Sequence, residues 1–148
     1  MSKYIHKNHN VSVLLYHFVC PAKYRKAVFE IETVDNKLKE VCLEISNRYE
    51  INFLEIGTDK NHVHFFLQSV PMYSPKKIIQ IIKSITAREI FKSCPEVKKQ
   101  LWGGQFWSDG YFVNTVGRFG DEQSITNYVK NQGIVNYKQI YVQQLTLF

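Results

Sequence analysis

The sequence predicts a mixed α+β domain in which four antiparallel strands form one sheet and two helices cover one of its faces. Three observations predict it. Strand-length runs of β-branched and aromatic residues recur, two intervening stretches carry apolar residues at helical spacing, and the order is β-α-β-β-α-β. The chain of 148 residues reads as one domain over 1–148, long enough to bury a core. Hydrophobic and charged shares of 45% and 22% are those of a folded globular protein, not of a disordered one.

Residues 11–20, VSVLLYHFVC, are β-branched and aromatic and stop at Pro21, as a strand does. Leu38, Val41, Cys42, Ile45 and Tyr49 fall on one side of a helix over about 33–50. INFLEIGT (51–58) reads as the second strand and HVHFFLQSV (62–70) as the third, joined as a hairpin by the TDKN turn. Pro75 suits a helix start, and from Lys76 to about Lys92 the residues Ile78, Ile79, Ile82, Ile85 and Ile90 share one face. Lys76, Lys77, Lys83, Arg88 and Lys92 lie on the opposite half. After the loop LWGGQFWSDG, YFVNTV (111–116) is the fourth strand. GDEQSITNYVKNQG, with acids first and Gly133 last, reads as an additional C-terminal helix. Two helices on one face of such a sheet make the arrangement ferredoxin-like.

Charge is concentrated. Eight of the 19 basic residues but only two of the 13 acidic ones fall between positions 60 and 100, so this segment carries the whole net charge of +6. A local basic excess points to a polyanion surface. No run approaches the ~20 apolar residues of a membrane span, and MSKYIHKNHN has no signal-peptide core. Cys20, Cys42 and Cys94 fit neither a disulfide framework nor a zinc knuckle. The expectation is a cytoplasmic protein with reduced thiols and no membrane contact.

Two of the five histidines flank Val63. On a strand, His62 and His64 project from the same face, roughly 6.5–7 Å apart at Cα, so both imidazoles can converge on one ion. The alternative is that they face solvent or hydrogen-bond within the fold. In the last helix Tyr128 and Gln132 are four apart and share a face. A phenol becomes a useful nucleophile when a bound cation polarises a phosphodiester, and an amide oxygen is a hard ligand. Mixed nitrogen and oxygen donors of this kind suit a divalent metal, Mg²⁺ or Mn²⁺. The alternative again is structural, with Tyr128 in the core and Gln132 at a solvated helix end. His6, His9 and His17 carry no clear role from sequence; His17 reads equally as an interior hydrogen-bonding residue. Trp102 and Trp107 are candidates for stacking on bases or, equally, lids on the core.

Five blocks in order carry a resemblance: YHFVCPAKYR, HVHFFL, SPKKIIQIIKSITAREIF, LWGGQFWSDGYFVNTVG and ITNYVKNQ. Over roughly residues 10–133 the chain resembles the HUH single-tyrosine transposases of the insertion sequence 200/605 family, within the superfamily that includes REP-associated tyrosine transposases. Members often place an acid directly before the first histidine, where this chain has Asn61, with Asp59 two positions further back. The resemblance implies a transposase that cuts and rejoins single-stranded DNA at transposon ends and recognises DNA hairpins. It implies that Tyr128 attacks the scissile phosphate, leaving a 5′-phosphotyrosine link and a free 3′-hydroxyl, and that His62, His64 and Gln132 hold the metal. It further implies a homodimer with composite active sites. The cationic helix residues Lys76, Lys77, Lys83, Arg88 and Lys92, with Trp102 and Trp107, are the candidates for DNA contact.

Rival readings differ by residues. A non-catalytic ferredoxin-like nucleic-acid-binding module would carry a Gly-Phe-rich RNP1 strand, which is missing. A histidine hydrolase or zinc enzyme would need a third histidine at ligand spacing or a cysteine pair. A domesticated relative, or a replication-type HUH nickase, would share the same chemistry.

Overall fold

The computed structural model describes residues 4–7, 9–101 and 103–117, together with the backbone of 136–139. A short ribbon pairs β1 (Ile5–His6) with β2 (Val11–Ser12). The main elements are β3 (Leu14–Pro21), α1 (Glu32–Arg48), β4 (Ile51–Thr58), β5 (His62–Ser69), α2 (Pro75–Ser93), α3 (Pro95–Gln100), β6 (Phe112–Val116) and β7 (Asn136–Gln139). The β-α-β-β-α-β order holds over β3 to β6. All pairings are antiparallel, and the sheet runs β6-β3-β5-β4-β7. Its first four positions give the ferredoxin-like order, and β4 and β5 form the expected hairpin.

Four details differ from the sequence reading. Residues 11–12 belong to the ribbon and not to the first sheet strand. The first helix ends at Arg48, and α3 fills part of the stretch read as loop. A fifth strand, β7, lines the free edge of β4. The predicted helix over 120–133, with Tyr128 and Gln132, lies outside the described residues, as does Trp102.

One face of the sheet makes the core. Tyr16, Phe18 and Cys20 of β3 and Val63, Phe65 and Leu67 of β5 alternate onto it, and meet Leu38, Val41, Cys42 and Ile45 of α1 and Ile78, Ile79, Ile82 and Ile90 of α2. On β4 the inward residues are Phe53 and then Ile56, three apart, because a register shift between Phe53 and Glu55 inserts an extra residue. Helix α2 starts as its sequence predicts: the Ser74 side chain accepts from the Lys77 N–H at 3.1 Å and Pro75 occupies the first turn. Helix α1 lacks a side-chain cap, but Asp35 in its first turn anchors it. One Asp35 oxygen accepts from Thr58 at the end of β4 (2.7 Å) and the other from the buried Lys39 (3.0 Å).

The segment between α3 and β6 is built into the fold. Trp107 forms a bridge with Ala22, and Ser108 N–H donates to the Pro21 carbonyl at 3.0 Å. Gly103 and Gly104 adopt φ of 93° and 75°, a left-handed turn that a side chain would strain.

Candidate functional site

Alternation along β5 decides where the histidines go. With Val63, Phe65 and Leu67 in the core, His62, His64, Phe66 and Gln68 lie on the opposite face, the one without helices. His17 of β3 is on that face too, paired in register with Phe66 and therefore diagonal to His64. Its Nε2 lies 2.9 Å from His64 Nδ1, the two rings stacked within 11° of parallel. Across the other edge of β3, Asn114 of β6 is in register with His17, and its side chain hydrogen-bonds the imidazole. His17 is thus the interior hydrogen-bonding residue that the sequence allowed.

His62 sits at the mouth of the hairpin. Asp59 N–H donates to the His62 carbonyl at 2.9 Å, closing the two-residue loop Lys60–Asn61. Ala22 N–H and Phe29 N–H bind the Asn61 and Lys60 carbonyls at 2.8 and 3.2 Å, so backbone bonds tie the loop down from outside the hairpin. His62 Nδ1 lies 2.9 Å from Asn61 Oδ1. An amide oxygen only accepts, so Nδ1 carries the proton and Nε2 keeps its lone pair. Asn61 thereby orients the ring, the task a carboxylate could have served there. Asp59 Oδ2 is 3.8 Å from His62 Nε2, and the His62 and His64 ring centres are 5.1 Å apart.

Burial, followed by the neighbouring His17 and His62, pushes the His64 pKa down to about 4. His64 is therefore neutral at physiological pH, the form that can donate a lone pair to a metal. Its Nε2 is buried and has no hydrogen-bond partner among the described residues. A buried polar atom left in that condition costs about 1–3 kcal/mol and asks for an explanation. Two imidazoles with both Nδ1 atoms engaged inside the protein fit the donor set of a metal ion. Among the described residues no group of three His, Cys, Asp or Glu completes such a site. Gln132, the expected third ligand, lies with Tyr128 outside the described residues.

The cationic helix is elsewhere. Its isoleucines pack on the core face of the sheet, so α2 and the histidines occupy opposite sides. Lys76, Lys77, Arg88 and Lys92 are exposed. Two candidates for DNA contact need correction. The Lys83 ammonium donates to the carbonyls of Ser108, Asp109 and Gly110 at 2.8, 3.3 and 3.0 Å and lies over the Tyr111 ring. It fastens the loop before β6 instead of projecting outward. Trp107 is 5% exposed, packs against Phe29, Phe65 and Phe106, and donates its indole N–H to Thr86 Oγ1 at 3.0 Å. It closes the core and leaves no open face for a base.

Sequence reasoning missed the pairing of His17 with His64 because spacing along one strand says nothing of register with another. The available signal was a polar side chain, His17, in the middle of the apolar run LLYHFVC.

Comparison with known proteins converges on one family. The family model described as "Transposase IS200 like" matches residues 10–132. The ISDra2 transposase TnpA of Deinococcus radiodurans is 29% identical over 119 residues, covering 80% of this chain and 84% of that protein. The transposase of insertion sequence element IS200 from Salmonella typhimurium is 28% identical over 120 residues, 79% of this chain and 75% of its own length. Among solved structures, a Deinococcus radiodurans R1 protein assigned as a transposase superposes with a TM-score of 0.69 at 27% identity, over 86% of this chain and 97% of its own. A REP-associated tyrosine transposase bound to a REP hairpin superposes with a TM-score of 0.56 at 10% identity, over 89% and 72% of the two chains, a likeness of fold.

Proposed function

We propose that this chain, which belongs to the family of IS200-like transposases, cuts and rejoins single-stranded DNA through a covalent bond to Tyr128. The observation that carries the reading is the His62–His64 pair. Two imidazoles project from one strand face, each with its Nδ1 held inside the protein, and the buried His64 Nε2 has no other partner among the described residues. With Gln132 they would hold a divalent cation, Mg²⁺ or Mn²⁺, whose contribution is to polarise a phosphate oxygen.

The protein's own residues do the rest. The Tyr128 phenolate attacks phosphorus, forms a 5′-phosphotyrosine and releases the 3′-hydroxyl of the neighbouring nucleotide. A 3′-hydroxyl attacking that link in turn restores the tyrosine and joins a strand. Each step exchanges one phosphoester for another, so no nucleotide triphosphate is needed. Folded hairpins near the element's ends are the proposed partner, and two subunits are proposed to share their sites. Exposed Lys76, Lys77, Arg88 and Lys92 supply sequence-independent attraction to phosphates.

The test is a labelled single-stranded oligonucleotide carrying the element's end, incubated with protein and Mn²⁺ and run on a denaturing gel. A protein-linked band is expected from the wild type and none from Tyr128→Phe, which removes only the phenolic oxygen. A band that persists in Tyr128→Phe, or that forms in wild type after chelation of all metal, would overturn the assignment.

A further inference from the structure

We propose that His17 and Asn114 are positioning residues that hold His64 in the tautomer with its proton on Nδ1, so that Nε2 presents a lone pair. The inference rests on the metal reading for its purpose, but not for its test. It starts from one short approach, the 2.9 Å between His17 Nε2 and His64 Nδ1. A hydrogen bond between two ring nitrogens holds one proton, so one ring donates and the other accepts. The distance alone does not say which.

Asn114 breaks the symmetry. It stands across from His17 in the β3–β6 register, and its side chain hydrogen-bonds the His17 ring in the sense that favours a proton there. The group that does this is an amide oxygen accepting from a ring N–H. With His17 Nε2 turned to His64, the nitrogen left for Asn114 is Nδ1. A neutral imidazole carries one proton, so His17 Nε2 must then accept, and His64 Nδ1 must donate. The chain of bonds runs from His64 Nδ1–H to His17 Nε2, and from His17 Nδ1–H to Asn114 Oδ1. It leaves His64 Nε2 as a lone pair, at the atom that has no partner among the described residues. The opposite tautomer would bury an N–H there with nothing to receive it, and would also make His64 useless as a ligand.

The parallel with His62 supports the assignment. Asn61 Oδ1 accepts from His62 Nδ1 in the same way. The two histidines are therefore set alike by different means, one by its sequence neighbour and one by two residues on adjacent strands. Both outer partners sit on backbone already locked in the sheet, which keeps the rings from turning.

The decisive measurement is long-range nitrogen–proton NMR of the histidine side chains in metal-free wild-type protein at neutral pH. His64 is expected with a protonated Nδ1 and an unprotonated Nε2, and finding the reverse would overturn the proposal. Asn114→Ala, at an exposed strand position, is expected to let both His17 and His64 populate mixed tautomers. Unchanged spectra would remove Asn114 from the relay. Mn²⁺ affinity, read by the decline of the free-ion paramagnetic resonance signal, supplies the second arm. His17→Phe keeps a ring and loses the acceptor, and should weaken Mn²⁺ at least tenfold, whereas His17→Gln, whose amide oxygen can accept from His64, should recover much of the affinity. Equal affinity in wild type and His17→Phe would refute the role. Should wild-type protein bind no Mn²⁺ at all, the metal reading fails while the tautomer measurement still decides this proposal.

Discussion

At the scale of single residues, His64 has the largest consequences for the protein's response to acid. An unfolded imidazole titrates near 6.5, while the fold holds His64 down to about 4, chiefly by burial. Between those values the unfolded chain binds more protons than the folded one, so acid favours unfolding. The contribution is fully present above pH 6.5 and is lost as pH falls toward 4, a separation worth on the order of 3 kcal/mol. His17 is shifted in the same direction by burial and adds to the trend. Urea unfolding at a series of pH values should show the wild type losing stability across this window and His64→Gln losing less. Parallel curves for the two proteins would contradict it. The His62–Val63–His64 spacing was legible because strand alternation is local. The partners of those rings were not, because they come from β3 and β6, and the register that brings His17 beside His64 is set by tertiary pairing.

At the scale of elements, α2 separates two kinds of cation that one helical wheel puts together. Its isoleucine face was legible from spacing, and Ile78, Ile79, Ile82, Ile85 and Ile90 are all buried. The fate of Lys83 was not legible, since its acceptors are backbone carbonyls 25 to 27 residues away. Lys83→Met is therefore expected to cost about 2 kcal/mol of stability, the scale of charge-assisted hydrogen bonds, by loosening the loop at 108–111. Arg88→Gln and Lys92→Gln should leave stability within ~0.5 kcal/mol. They should weaken single-stranded DNA binding and reduce its salt slope by about 0.7 for each phosphate that is no longer neutralised. Lys37→Gln on α1 serves as the control, because Lys39 is buried against Asp35 and would confuse folding with binding. Fluorescence titration across salt concentrations checks the expectation, and equal weakening by Lys37→Gln and Arg88→Gln would mean that the basic face is only solvated. Strand β7 escaped the sequence reading for a related reason: NYKQ lacks a strand's alternation, and the free edge of β4 is what pairs it.

At the scale of the whole molecule, the question is which subunit's histidines meet a given tyrosine. Strand β6 forms one edge of the sheet and β7 the other, so the chain from Val116 to Asn136 leaves from one edge and returns at the opposite one. Tyr128 lies on that connection. Nineteen intervening residues could extend roughly 60 Å, so length permits either its own histidines or a partner's. Gly117, which opens the connection, has nothing within 4 Å of where a Cβ would stand, leaving the backbone free to change direction there. A twofold dimer whose connections cross would contain two equivalent composite sites. Mixing His64→Ala protein with Tyr128→Phe protein, under conditions where subunits exchange, separates the arrangements. With crossed sites, each mixed dimer has one site with intact histidines and an intact tyrosine, and another lacking both. With uncrossed sites, every site in the mixture is broken. Random exchange gives about half mixed dimers with one working site each, so adduct formation should return to roughly a quarter of the wild-type level. Each variant alone provides the blank, and a light–heavy labelled pair in native mass spectrometry verifies that exchange took place. Verified exchange without any adduct would show that Tyr128 serves the histidines of its own subunit during cleavage. The crossing from β6 to β7 would then be a closed circuit within one chain.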